Sequence, residues 1–91
     1  MTAQQFIDYL IAQDQLDNVM GVLQKLGFTV DFVASNVLSS DDAVTISRTA
    51  MLWQGMPNKH DRKRTRELFD TLTNVGLLVP AGDDETWTVK L

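Results

Sequence analysis

Asn58-Lys59-His60-Asp61-Arg62-Lys63-Arg64-Thr65-Arg66-Glu67-Leu68-Phe69-Asp70-Thr71-Leu72-Thr73-Asn74-Val75-Gly76-Leu77-Leu78 is the stretch whose reading decides the fold. Leu68, Leu72 and Val75 recur at helical spacing with Phe69 at their shoulder, so a helix is expected from its cap Asn58 to about Val75, stopped by Gly76. Running the 3.6-residue period backward puts Asp61 and Thr65 on the core side, with Arg64 at the margin. Lys59, Arg62, Lys63, Arg66 and Asp70 then point outward. Downstream, Leu77-Leu78-Val79 reads as a strand and Pro80 to Glu85 as a turn. Thr86-Trp87-Thr88-Val89-Lys90-Leu91 alternates, with Trp87, Val89 and Leu91 on one face, which describes a strand with one wet side.

Upstream, Ser39-Ser40-Asp41-Asp42 supplies a serine cap and two acids for the positive end of a helix dipole, so a helix is expected over Asp41 to Gln54. Ala43, Ile46, Ala50 and Trp53 form its inner face, and Gly55 and Pro57 end it. Residues 3–13 read as a first helix, capped by Thr2, with Phe6, Ile7, Leu10 and Ile11 on one face. Asp14 or Asp17 marks a break, after which Leu16, Val19, Met20, Leu23 and Leu26 continue the pattern to a left-handed stop at Gly27. The spacing is compatible with one bent helix or two short ones. Phe28 to Leu38 reads as a short helix capped by Thr29, although Phe28-Thr29-Val30 also suits a strand.

The 91 residues make one domain, with an apolar fraction of 44% and a charged fraction of 22% that are ordinary for a soluble protein. No cysteine is present, which excludes a disulfide framework and a thiolate nucleophile. No apolar run approaches the roughly 20 residues of a membrane span, and the start lacks the marks of a signal peptide. A cytoplasmic protein is expected. The net charge of -4 is unevenly spread. Residues 1–47 carry one Lys against six Asp, residues 48–66 six Lys/Arg against one Asp, and residues 67–91 one Lys against five acids. Such polarity steers one face toward an anion while the rest repels it. A merely solvated helix end is the plainer reading of the same run.

Helix, tight stop at Gly55-Met56-Pro57, helix, Gly76, strand, polar turn and strand form an order over residues 39–91 that resembles the winged helix-turn-helix family. The likeness is carried by Arg64 through Leu78, where an arginine, Leu68-x-x-x-Leu72 and Gly76-Leu77-Leu78 look like a recognition helix running into the first wing strand. The fold class implied is mostly α with a small C-terminal β-hairpin, a winged helix-turn-helix with additional N-terminal helices. Residues 1–38 would be a helical extension for packing or dimerisation, and residues 39–91 the winged unit. The resemblance implies that Lys59 to Val75 reads double-stranded DNA in the major groove, supported by the helix before it. Lys59, His60, Arg62, Lys63 and Arg66 are the candidate DNA-binding residues, with Arg62 or Arg66 suited to bidentate recognition of guanine.

One departure stands out. The wing tip would be Ala81-Gly82-Asp83-Asp84-Glu85, where DNA-binding wings commonly carry Arg or Lys, and these acids would repel a phosphate backbone. A second reading therefore stays open, in which the basic helix docks an acidic protein surface. Cations at a helix start oppose the dipole by about a few tenths of a kcal/mol each, which favours an anionic partner of some kind. Asp61 and a Lys63–Glu67 pair would offset part of that term. His60 beside Asp61 is no acid–base pair, because neighbouring helical residues do not face each other. Asp83-Asp84-Glu85 reads as a solvated turn rather than a metal loop. No catalysis, cofactor or metal is expected. Trp53 and Trp87 read as core, and a homodimer through Phe6, Leu10, Leu16, Met20 and Leu23 is expected, since these exceed the needs of a small core.

Overall fold

The computed structural model of the protein describes residues 1–41 and 43–90. Five helices and a small antiparallel sheet follow in the order α1 (Ala3–Ala12), α2 (Leu16–Leu26), α3 (Val30–Asn36), β1 (Val44–Thr45), α4 (Ile46–Gln54), α5 (Lys59–Asn74), β2 (Leu78–Pro80) and β3 (Thr86–Val89). The strands lie in the order β1-β3-β2, all antiparallel.

Local chemistry sets most of these boundaries. Thr2 and Gln5 form a reciprocal capping box at the start of α1. The first helix ends when Gln15 N–H reaches back to the Leu10 carbonyl, 2.8 Å away, across Asp14 at φ 56°. The alternatives left open by the sequence therefore resolve as two helices, with an aspartate rather than a glycine in the left-handed position. Thr29 caps α3 by accepting the Phe32 N–H. Phe28, just before it, stacks on Trp53 with ring centroids 4.0 Å apart. At the end of α5, Leu77 N–H bonds the Leu72 carbonyl around Gly76 at φ 86°, turning Leu77 into the core.

Two expectations need correction. The helix expected over Asp41 to Gln54 begins only at Ile46, and Ala43 is exposed and outside it. Thr45 is extended and caps α4 through the Arg48 N–H, while Val44 pairs with Trp87 and Thr45 with Thr86. Two β-branched residues opposite the alternating C-terminal strand gain more from pairing than from a longer helix. Asp42, half of the expected acidic first turn, and Leu91, the last alternating residue, lie outside the described residues.

The second correction concerns the residues expected to join two protomers. Phe6, Leu10 and Leu23 lie inside the protein's own core with Val33, Val37, Leu68, Phe69 and Leu72, and Leu16 and Met20 are half-buried against it. Their periodicity reports intramolecular packing. The N-terminal helices and the C-terminal half therefore share one core. The sheet joins it through Trp87, whose ring meets Phe69 edge-on at 5.0 Å. Among the described residues no helix is long and apolar enough to cross a membrane.

Tyr9 fastens the first helix to the end of α5, donating its hydroxyl to the Val75 carbonyl at 2.6 Å. A Cβ on Gly76 would lie 3.0 Å from that hydroxyl. Tyr9→Phe is expected to cost about 1 kcal/mol in urea unfolding, the usual worth of one such bond. Gly76→Ala is expected to cost more, about 1–2 kcal/mol from the left-handed backbone alone before the crowding is counted. A Gly76→Ala protein as stable as the wild type would contradict this geometry.

Candidate functional site

The front of α5 is built around one acid. Asn58 accepts the Asp61 N–H at 2.9 Å, and the Asp61 carboxylate accepts the Asn58 N–H at 3.0 Å. Asp61 is buried, and its other oxygen takes a hydrogen bond and ion pair from Arg64. Thr65 Oγ1, fully buried, donates to the Asp61 carbonyl at 2.8 Å. The Asn58 N–H, followed by the Arg64 hydrogen bond, holds the Asp61 carboxyl below the ordinary carboxylate range, against the opposing effect of burial. Arg64 also lies over the Trp53 ring, 5.4 Å from its centroid. It serves the fold.

Fixing Asp61 and Thr65 inward fixes the opposite face outward. Lys59, His60, Arg62 and Lys63 are exposed and Arg66 is half-buried. Lys59, Arg62, Lys63 and Arg66 line a shallow depression of about 220 Å³, floored by Ile46 and edged by Glu85. His60 shares the helix but does not line it. Arg48, the remaining cation of the 48–66 segment, belongs to a separate depression with Ser35, Ser39 and Thr45.

Each arginine of the depression has a neighbour. Arg62 donates to Ser47 Oγ at 3.1 Å, tying α5 to the first turn of α4. Arg66 pairs with Glu85 at 3.1 Å and lies over Trp87, 5.8 Å from the ring centroid. Lys59 and Lys63 have no ion-pair partner among the described residues, and the Lys63–Glu67 pair expected from spacing is not formed.

Glu85 is held in place by its backbone. Its N–H donates to Asp83 Oδ1 at 2.9 Å, and its carbonyl accepts the Ile46 N–H at 3.2 Å. The same N–H, followed by the Thr86 hydroxyl, lowers the pKa of Asp83. Asp83, Asp84 and Glu85 are all exposed, as expected for a solvated turn. The sequence brought the four cations together correctly. It missed Ser47 and the Arg66–Glu85 pair, which join residues 15 and 19 positions apart and leave no periodic trace.

An exposed face with four cations can bind oxyanions by charge and by guanidinium hydrogen bonds. Comparison of the chain with protein-family models, curated proteins and solved structures finds no match.

Asp61 makes stability depend on pH. A carboxyl with a depressed folded-state pKa stabilises the fold above its unfolded value, about 3.9. That contribution disappears as pH falls through the folded value. Asp61→Asn keeps a cap acceptor but loses the titrating charge. It is expected to be less stable than wild type at neutral pH, with the gap closing as pH falls below about 4. Urea midpoints measured from neutral to acid pH check this, and a constant gap between the two proteins would contradict it.

Proposed function

We propose that the protein is a winged helix-turn-helix that binds double-stranded DNA and regulates transcription or replication. One observation carries the reading: Lys59, Arg62, Lys63 and Arg66 converge on a single depression on the free side of α5. The order α4, tight turn, α5, β2, β3 supports it, since it repeats the helix–turn–helix–hairpin order of the family. In such a docking α5 enters the major groove by its N-terminal half, where its cations meet phosphates and base edges. The turn over Ala81–Glu85 would then sit beside the backbone.

A second reading, docking on an acidic protein surface, is favoured by a separate feature. Met51, Leu52 and Met56 are 57%, 53% and 94% exposed, the last in the turn leading into α5. Large apolar side chains left in water beside a basic helix suit a protein partner better than a phosphate backbone.

Titration of a labelled random duplex separates the two. With four phosphate contacts, affinity is expected to fall about a hundredfold between about 50 and about 200 mM salt. The Lys59→Ala/Arg62→Ala/Lys63→Ala protein is expected to bind weakly and to flatten the log–log salt slope by about 2.7. Unchanged circular dichroism would show that the triple variant still folds. Absence of wild-type binding at the lowest salt would leave the protein-surface reading in its place.

A further inference from the structure

We propose that, within the depression lined by Lys59, Arg62, Lys63 and Arg66, the place beside Arg66 is a seat for one phosphate group, that Glu85 is its resident occupant, and that a backbone phosphate of duplex DNA displaces the Glu85 carboxylate. The proposal rests on the DNA-binding reading and adds to it a competitor carried by the protein itself.

Three observations support it. The first is position: Glu85 lines the same depression as the four cations, and its Oε1 already bonds Arg66 Nη2 at 3.1 Å. A carboxylate offers a guanidinium the same planar pair of oxygens that a phosphate does, so either anion satisfies Arg66. The second is fixation. The Glu85 backbone is anchored on both sides, by Asp83 at its N–H and by Ile46 at its carbonyl. The side chain is thus presented to Arg66 by a held backbone, and its displacement needs a rotation of that side chain alone.

The third is the weakness of the bond to be broken. The side chains of Arg66 and Glu85 are 39% and 54% exposed, and an ion pair so open to water exchanges readily. Arg66 stays aimed when Glu85 leaves, because its guanidinium rests over the Trp87 ring. Lys59 and Lys63, without ion-pair partners among the described residues, supply further positive charge that the successive phosphates of a DNA backbone meet and a single carboxylate does not. An acid at the wing then raises the threshold for binding instead of abolishing it, and selects a densely charged polymer over isolated carboxylates.

The test is a charge-matched double-mutant cycle read by titration of a labelled random duplex. Glu85→Gln is expected to tighten binding about two- to fivefold, the range of an exposed ion pair. The salt slope should stay as in the wild type, since a phosphate meets Arg66 in both proteins. Asp84→Asn makes the same change in net charge one residue away and is expected to give a smaller gain with no change of slope. In an Arg66→Ala background Glu85→Gln is expected to gain no more than Asp84→Asn does.

Equal effects of Glu85→Gln and Asp84→Asn, or a gain that survives Arg66→Ala, would overturn the proposal in favour of a general charge effect. Should none of these proteins bind duplex, the DNA reading fails, and inorganic phosphate then judges the seat alone. A larger shift of the Arg66 Nε–H resonance on adding phosphate to Glu85→Gln than to wild type supports the seat, and equal or absent shifts overturn it.

Discussion

Asp61 is a carboxylate placed inside the protein at the start of a helix otherwise rich in cations, and most of the architecture around α5 follows from what it binds. It closes a capping box with Asn58, takes the Arg64 guanidinium and leaves its carbonyl to the buried Thr65 hydroxyl. Its negative charge sits where the helix dipole favours one and offsets the cations that follow. Because Asp61, Thr65, Leu68, Phe69 and Leu72 all turn inward, the helix has one rotation about its axis. Lys59, Arg62 and Lys63 are outside by the same constraint. The core thus determines the basic face.

The sheet adds a second constraint. β3 lies between β1 and β2, so the hairpin is tied both to the end of α5 and to the start of α4. Val44 opposite Trp87, and Trp87 against Phe69, join sheet and helix through apolar contact. Pro80, which has no N–H to give, falls on the edge strand β2 where the ladder loses least. With β1 holding Thr86 and Ile46 N–H holding the Glu85 carbonyl, the turn is kept beside the cations. Glu85 is therefore part of the basic depression's electrostatics and cannot be treated as a remote flank.

Much of this was legible in the sequence where the signal is local. The 3.6-residue period set the rotation of α5 correctly, down to Asp61 and Thr65 inside and Arg64 at the margin. Asn58, Thr2 and Thr29 cap as their residue types suggest, and Gly27 and Gly76 stop helices in the left-handed backbone they favour. Apart from the unformed Lys63–Glu67 pair, the failures share a cause, which is distance along the chain. A strand of two residues is too short to show alternation, and Val44 finds its partner 43 positions later, so Ser39–Asp41 looked like a cap. Apart from Ile11, which is exposed, periodicity identified the apolar faces of α1 and α2 without saying what covers them, and the covering surface proved to be the protein's own core. The Arg66–Glu85 pair depends on how the hairpin folds back.

The central claim, that the outer face of α5 meets a phosphate backbone, is tested most directly by mapping amide resonances during addition of an unlabelled random duplex at low salt. Shifts concentrated over residues 59–66 and around Glu85, with Phe6, Leu10, Val19 and Leu23 unmoved, are the predicted outcome. Shifts confined to the Met51–Met56 segment or to α1–α3, or none anywhere, would contradict it.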